Sequence, residues 1–430
     1  MNTAQIHQRF LLCSGADTDT RNISESSMFF ALKGENFNGN EFAADALKAG
    51  ARYAVVDDKR YAGKTEEYIL VKNVLETLQK LAMFHRKYLG IPILAITGSN
   101  GKTTTKELVN SVLSRKFRTI ATKGNLNNHI GVPLTLLSMD DKTEFGIIEM
   151  GANHLLEIEF LCTIANPDYG YITNFGKAHL EGFGGVEGVI KGKTELYKNL
   201  QERKKLIFLN LDDDIQRKHH PYKHTFSFGE SRLANVKLKY QNGLPNAQLH
   251  YNQTDFKSKL TGDYNAKNMA AALCIGLYFK VNFNEIQKAI ESYSPSNNRS
   301  QIIETGSNII IMDAYNANPT SMHAALDNFD SLKTNKQKIA ILGDMFELGS
   351  AAATEHQIIA NYIQNGNFAE TYLLGDNFKE TKTSSNFIFK FNTMEDLKEH
   401  LRESNFQNCY FLIKGSRGMA LERVLDSIKK

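Results

Sequence analysis

Between Thr97 and Lys106 the sequence reads TGSNGKTTTK. Gly98 and Gly101 free the backbone to curl, so that successive N–H groups can converge on one anion. Lys102 adds a mobile positive charge, and Thr103 offers a magnesium-binding hydroxyl at the start of a helix whose dipole favours a phosphate. The spacing is GxxGKT rather than the longer GxxxxGK[ST], because Ile96 stands where the first glycine of that pattern would fall. A glycine turn with a surface lysine is the bland alternative. The apolar run before the loop and the helix-forming KELVNSVL after it favour a nucleotide phosphate cradled by Gly98, Ser99, Asn100, Gly101, Lys102, Thr103 and Thr104. Such a loop serves kinases, switches and transport motors as well as ligases.

Other residues must narrow the chemistry. Glu149 ends the run FGIIEM just before Gly151, which puts its carboxylate at the carboxyl edge of a sheet, either as a second magnesium ligand or as an exposed strand end. Asn174 and His179 follow the next strand in NFGKAHLEGFGG, where a neutral imidazole could join Glu149 around a metal or simply be solvated. Lys193 lies in VIKGKTELY, on a helix directed back to the same region. Desolvated among cations, its amine would lose its proton and could take up carbon dioxide as a carbamate. On spacing alone, a surface lysine is the commoner outcome.

Positioning these groups needs more than one core, and 430 residues predict three domains. Lys plus Arg number 51 against 47 Asp plus Glu, a net +4 too dispersed to mark a nucleic-acid surface. Cys13, Cys162, Cys274 and Cys409 lie far apart without CxxC pairing, which points to core thiols in a reducing compartment. No run approaches the roughly 20 apolar residues that span a bilayer, so the expectation is a cytoplasmic protein. The fold expected is α/β in three parts: a small N-terminal α/β domain over 1–84, a central P-loop parallel-sheet ATPase domain over 85–297, and a C-terminal Rossmann-like domain over 298–430. Strand, glycine turn and helix alternate from Ile91, a polar stretch with NG at Asn242 predicts an antiparallel annex, and SPSNNRS around Pro295 reads as a hinge linker.

Nine strings in fixed order make the chain resemble the Mur ligase family over nearly its whole length. They are FFALKGENFNGNEF, TGSNGKTTTKE, GNLNNHIGVPLTLL, EMGANHLLEI, NFGKAHLEGFG, GDYNAKNMAAA, DAYNANPTSM, GDMFELG and KGSRGMALE. The resemblance implies an ATP-dependent carboxylate–amine ligase working through an acyl phosphate. DAYNANPTSM and GDMFELG point to the member type that joins UDP-N-acetylmuramoyl-tripeptide to D-alanyl-D-alanine in peptidoglycan precursor synthesis. It further implies ATP between the central and C-terminal domains, with two Mg2+ ions. Lys102 and Thr103 would hold phosphates and the first ion, while Glu149, His179 and carbamylated Lys193 would organise the second. Asn268 would reach the adenine with Asn265 in support, and Arg299 and Asp313 would come from the third domain. Thr20, Arg21 and the strand containing Lys33 would bind the UDP end. Asn125, Asn127 and Asn128 would line the channel to the γ-phosphate, and Tyr315, Asn316 and Asn318 the dipeptide pocket. A monomer is expected, with no nucleic-acid partner and no insertion into a membrane. A ligase adding one amino acid, a folylpolyglutamate synthase, or a nucleotide switch without ligase activity are the competing readings.

Overall fold

The computed structural model describes residues 1–295 and 298–428. Ser296 and Asn297, which belong to the expected hinge linker and end the expected central domain, lie outside the described residues.

The N-terminal part is a parallel sheet in the order Ala16–Asp17, Met28–Phe30, Tyr53–Val56 and Tyr68–Leu70. The FFALKGE segment is not one strand. It leaves the sheet after Phe30 and re-forms as the hairpin strands Lys33–Gly34 and Phe37–Asn38, which puts Lys33 on an exposed strand. Helix Val74–Leu89, capped by Asn73 and stopped by left-handed Gly90, runs straight through position 84. Its buried Arg86 bonds Asp168 at 2.8 Å and the Ala165 carbonyl at 3.1 Å, tying this helix to the central sheet. The division at 84/85 therefore falls inside a helix whose apolar face belongs to both neighbours.

Seven strands, all parallel, form the central sheet in the order Val236–Lys237, Thr225–Gly229, Leu206–Asn210, Tyr169–Ile172, Ile93–Thr97, Phe145–Glu149 and Thr119–Ala121. Residues of period two separate onto two faces, as pleating demands. Ile93 and Ala95 join Ile148, Ile172 and Leu209 beneath helix Val186–Glu202, in a cluster continuous with Phe10, Phe30 and Leu78 of the N-terminal part. Leu94 and Ile96 join Ile147, Tyr171 and Phe208 beneath helices Lys102–Leu113 and Tyr264–Tyr278. Burial on both faces explains why these strands read as continuous apolar runs. The polar stretch forms the antiparallel sheet Lys239–Gln241, Asn246–Tyr251 and Thr254–Thr261, although Val236–Lys237 stays with the parallel sheet.

The C-terminal sheet runs Gln301–Thr305, Asn308–Asp313, Cys409–Lys414, Gln337–Gly343, Glu370–Leu374 and Ile388–Phe391, antiparallel only at its first strand. Apolar clusters cover both faces, the doubly wound arrangement expected. Cys162, Cys274 and Cys409 are buried and all four thiols are free.

One buried contact makes stability pH-dependent. His85 Nε2 lies 2.8 Å from the Met139 carbonyl, so it carries the hydrogen; Nδ1 of the same ring then accepts from His7 Nε2 at 3.0 Å. Burial lowers the pKa of both imidazoles, His85 further lowers that of His7, and the Met139 carbonyl partly opposes the shift at His85. Folded values below the unfolded value mean full stabilisation above about pH 6.5, lost as pH falls through the folded values. Melting temperature should therefore drop on acidification from neutrality, and a His7→Leu, His85→Leu variant should show a shallower drop. An equal drop in both proteins would remove the pair as the cause.

Candidate active site

Strand Ile93–Thr97 delivers the loop to the carboxyl edge of the central sheet, where ligands bind in open parallel folds. Gly98 sits at φ +140, and a Cβ there would stand 2.0 Å from Thr173 Oγ1. Gly101, at φ +77, would press a Cβ to 2.8 Å from Asn268 Oδ1. Both glycines are thus fixed by backbone angle and by close approach. Asn174 holds the loop from the next strand: its Oδ1 accepts from Asn100 N at 3.0 Å, and its Nδ2 donates to Asn100 O at 2.9 Å. The turn leaves Lys102 and Thr103 at the open end of a helix, whose first N–H groups have no partner within it.

Lys102 Nζ donates to Gly98 O at 2.7 Å and Ser99 O at 3.2 Å, folded over its own loop. Burial lowers its pKa, Glu149 opposes that, and Arg299 adds to it. Glu149 is only 1 % exposed, so the exposed strand end is excluded. Its carboxylate accepts from Thr103 Oγ1 and from Asn127 Nδ2, each at 2.8 Å. Lys106, one helical turn beyond Thr103, stands 3.9 Å from the same carboxylate and donates to the Thr122 carbonyl.

These groups open on a cavity of about 860 Å³ between the central and C-terminal domains. Ser99 to Thr104, Asn125, Asn127, Asn128, Glu149, His179, Asn265 and Asn268 line one wall, and Arg299, Asp313, Tyr315, Asn316 and Asn318 the other. Asn268 Nδ2 donates to Asn265 Oδ1 at 2.8 Å, and Asn265 Nδ2 to the Thr261 carbonyl at 2.7 Å, a buried relay one helical turn long. Asn128 Oδ1 accepts from Ile130 N at 3.1 Å and Gly131 N at 2.9 Å, so this residue fixes the turn that enters helix Gly131–Leu137 as well as lining the cavity. Across the gap, Arg299 lies 3.5 Å over the Tyr315 ring and Lys414 pairs with Asp313 at 2.6 Å. Asn318 Nδ2 reaches Asn100 Oδ1 at 2.7 Å, joining the C-terminal domain directly to the glycine loop.

Thr20, Arg21, Lys33 and Lys193 do not line this cavity. Arg21 is exposed and paired with Asp19, and Lys33 pairs with Asp57. Lys193 is wholly buried behind the wall, its Nζ 3.0 Å from the carbonyl of Ala152, a lining residue, and 4.9 Å over the Phe183 ring. Burial drives its pKa well below the usual lysine value; Lys102 adds to this, and Glu157 and Glu195 oppose it. His179 lines the cavity, yet its Nδ1 is engaged by Glu347 of the C-terminal domain. Among the described residues, no three His, Cys, Asp or Glu side chains gather as a metal cage. The oxygen donors Thr103 Oγ1 and Glu149 nevertheless suit magnesium, which commonly takes one or two protein ligands and completes its shell with substrate phosphates and water.

Family models match three segments of the chain: "Mur ligase family, catalytic domain" over 14–86, "Mur ligase middle domain" over 96–276 and "Mur ligase, glutamate ligase domain" over 298–417. The UDP-N-acetylmuramoyl-tripeptide–D-alanyl-D-alanine ligase of Bacillus subtilis (strain 168) is 33% identical, covering 96% of this chain and 93% of its own. The chain belongs to the Mur ligase family. Among solved members, MurF from Acinetobacter baumannii superposes on this Mur ligase with a TM-score of 0.85 at 30% identity, covering 96% of this chain and 93% of that one. MurF ligase from Thermotoga maritima in complex with ADP gives 0.83 at 28% identity, covering 98% of each chain.

Lys106, Lys414 and Glu347 escaped the sequence reading of this Mur ligase. Lys414 and Glu347 lie within strings that carried the resemblance, and Lys106 closes the phosphate string, but a contact across 43 residues or across two domains has no local signature. Among the described residues no helix is long and apolar enough to cross a membrane.

Proposed function

We propose that this Mur ligase joins the terminal carboxylate of UDP-N-acetylmuramoyl-tripeptide to the amine of D-alanyl-D-alanine, with ATP and magnesium, in peptidoglycan precursor synthesis. The observation that carries this reading is one cavity with the phosphate loop on one wall and Arg299, Asp313 and Lys414 of the C-terminal domain on the other. Similarity along nearly the full length to ligases of that name supports the choice of substrates.

A carboxylate resists amines because its leaving group would be oxide. Phosphorylation by ATP gives an acyl phosphate, which the dipeptide amine attacks to form a tetrahedral intermediate, then the amide and phosphate. Both reacting groups are anions in the first step, so the site must neutralise and align them. Lys102 and the helix N-terminus would hold the γ-phosphate, and Arg299 would approach it from the opposite wall. Thr103 and Glu149 would hold magnesium, with Lys106 behind keeping the carboxylate oriented. Magnesium, when bound, supplies charge neutralisation between the phosphate oxygens and the attacking carboxylate. His179, and Lys193 once carbamylated, are the groups assigned to a second ion. Thr20, Arg21 and Lys33 are assigned to the UDP end, and Tyr315, Asn316 and Asn318 to the dipeptide. Contact between the cavity walls would exclude water during the acyl-phosphate stage.

The test is phosphate release with UDP-N-acetylmuramoyl-tripeptide, ATP, magnesium and D-alanyl-D-alanine, omitting each in turn. Release should require all four. Release indifferent to the dipeptide would leave a nucleotide hydrolase or switch instead.

A further inference from the structure

The loop Asp344–Gly349 of the C-terminal domain is held with unusual completeness. The Asp344 carboxylate accepts from the N–H groups of Asn377 at 2.9 Å and Phe378 at 3.0 Å. The Met345 N–H donates to His356 Nε2 at 3.0 Å, and the Phe346 N–H to Ser416 Oγ at 2.9 Å. Three consecutive residues are therefore pinned to their own domain. The next, Glu347, adopts a left-handed backbone at φ 60 and projects across the domain boundary to His179, itself left-handed at φ 53. Non-glycine residues in that region are strained, and persist where the surroundings determine them. The surroundings here are shared by both domains. Glu181 N donates to Glu347 O at 3.3 Å, Gly349 abuts the Glu181 side chain, and Leu180 packs against the apolar cores of both domains.

A carboxylate only accepts hydrogen bonds, so an imidazole nitrogen facing one must carry the hydrogen, and the other nitrogen of a neutral ring then bears the free lone pair. Metal-binding histidines are commonly fixed in this way by a carboxylate on the far nitrogen. We propose that Glu347 is a positioning residue for His179, holding the Nδ1–H tautomer and the ring plane so that Nε2 offers its lone pair to the catalytic cavity. The inference rests on the ligase reading for its kinetic arm. Its consequence is that the central domain's imidazole is made ready only while the C-terminal domain is docked. The GDMFELG string then serves the phosphate side of the reaction, not the incoming dipeptide alone.

A neighbouring contact provides the control. Lys177 Nζ pairs with Glu355 at 2.5 Å and its N–H donates to Thr320 Oγ1 at 2.9 Å, joining the same two domains without touching His179. Glu347→Ala, Glu347→Gln and Lys177→Met would be compared by steady-state kinetics, and the His179 ring by imidazole nitrogen chemical shifts in the ligand-free protein, assigned with His179→Gln. The wild-type ring should read as the Nδ1–H tautomer and become a mixture in Glu347→Ala. That variant should lose roughly 10- to 100-fold in kcat with KM values within about twofold. Glu347→Gln, whose amide oxygen can accept the same hydrogen, should recover most of the rate, and Lys177→Met should leave the tautomer alone. An unchanged tautomer in Glu347→Ala would overturn the proposal, as would matching KM changes with intact kcat in Glu347→Ala and Lys177→Met, the signature of a mere clasp. A wild-type protein that fails to join the dipeptide would sink the ligase reading, while the nitrogen shifts would still decide the role of Glu347.

Discussion

Lys102→Ala is expected to lower turnover by roughly 10³-fold or more while the protein still folds. The ammonium lies at the helix N-terminus within the loop that would cradle the γ-phosphate, and no other lysine of the loop reaches that position. Its hydrogen bonds in the present structure go to the buried Gly98 and Ser99 carbonyls. Leaving these without their donor should cost about 1–3 kcal/mol of folding stability, a loss that melting measures separately from the much larger catalytic one. The loss should fall on phosphate release and amide formation together, because the lysine acts before the acyl phosphate exists. Thermal melting and both product assays on one preparation check this. A variant that still hydrolyses ATP in step with ligation would refute the role.

That lysine was the most legible residue in the chain, for a local reason. A strand, two glycines, a lysine and a helix lie within the unbroken segment Ile93–Leu113, so the geometry of the loop is written in adjacent positions. The three-part α/β fold was legible on the same grounds, since buried parallel strands repeat as apolar runs between helices. Position 84 was not legible as a point inside a helix, because the apolar face of Val74–Leu89 packs against both neighbours and composition does not change there. The edge strands Gln301–Thr305 and Ile388–Phe391 are not legible as buried apolar runs, because neither contains a fully buried residue. In the site, Asn268 and Glu149 were found from string and strand end, and both meet the phosphate loop. The partners that set their orientation, Asn127, Thr103 and Lys106, come from segments whose proximity only the folded sheet creates. The docking of the C-terminal domain through Asn318 and Glu347 is still less local, since each contact links residues more than a hundred positions apart.

The second large effect concerns Lys193. A protonated lysine this deeply buried would be costly, and burial together with the charge of Lys102 pushes its amine toward the neutral form. Neutral amine is the species that adds to carbon dioxide: an N–C bond forms, one proton leaves to solvent, and a carbamate anion replaces the neutral amine. The structure places Nζ on the Ala152 carbonyl, one residue behind the cavity wall, so a carbamate would reach the cavity by exchanging that contact for an oxygen directed past Ala152. Lys193→Ala is then expected to lower kcat by roughly 10²-fold or more, since an anion near the reacting phosphate would be lost. Leaving the Ala152 carbonyl without its donor costs about 1–3 kcal/mol, which melting measures separately. Added formate or acetate should restore part of the rate in a saturable way, by placing a carboxylate where the carbamate stood. Restoration by small alkylamines instead would show that the cation was required, and a variant with near-normal activity would show that neither form was.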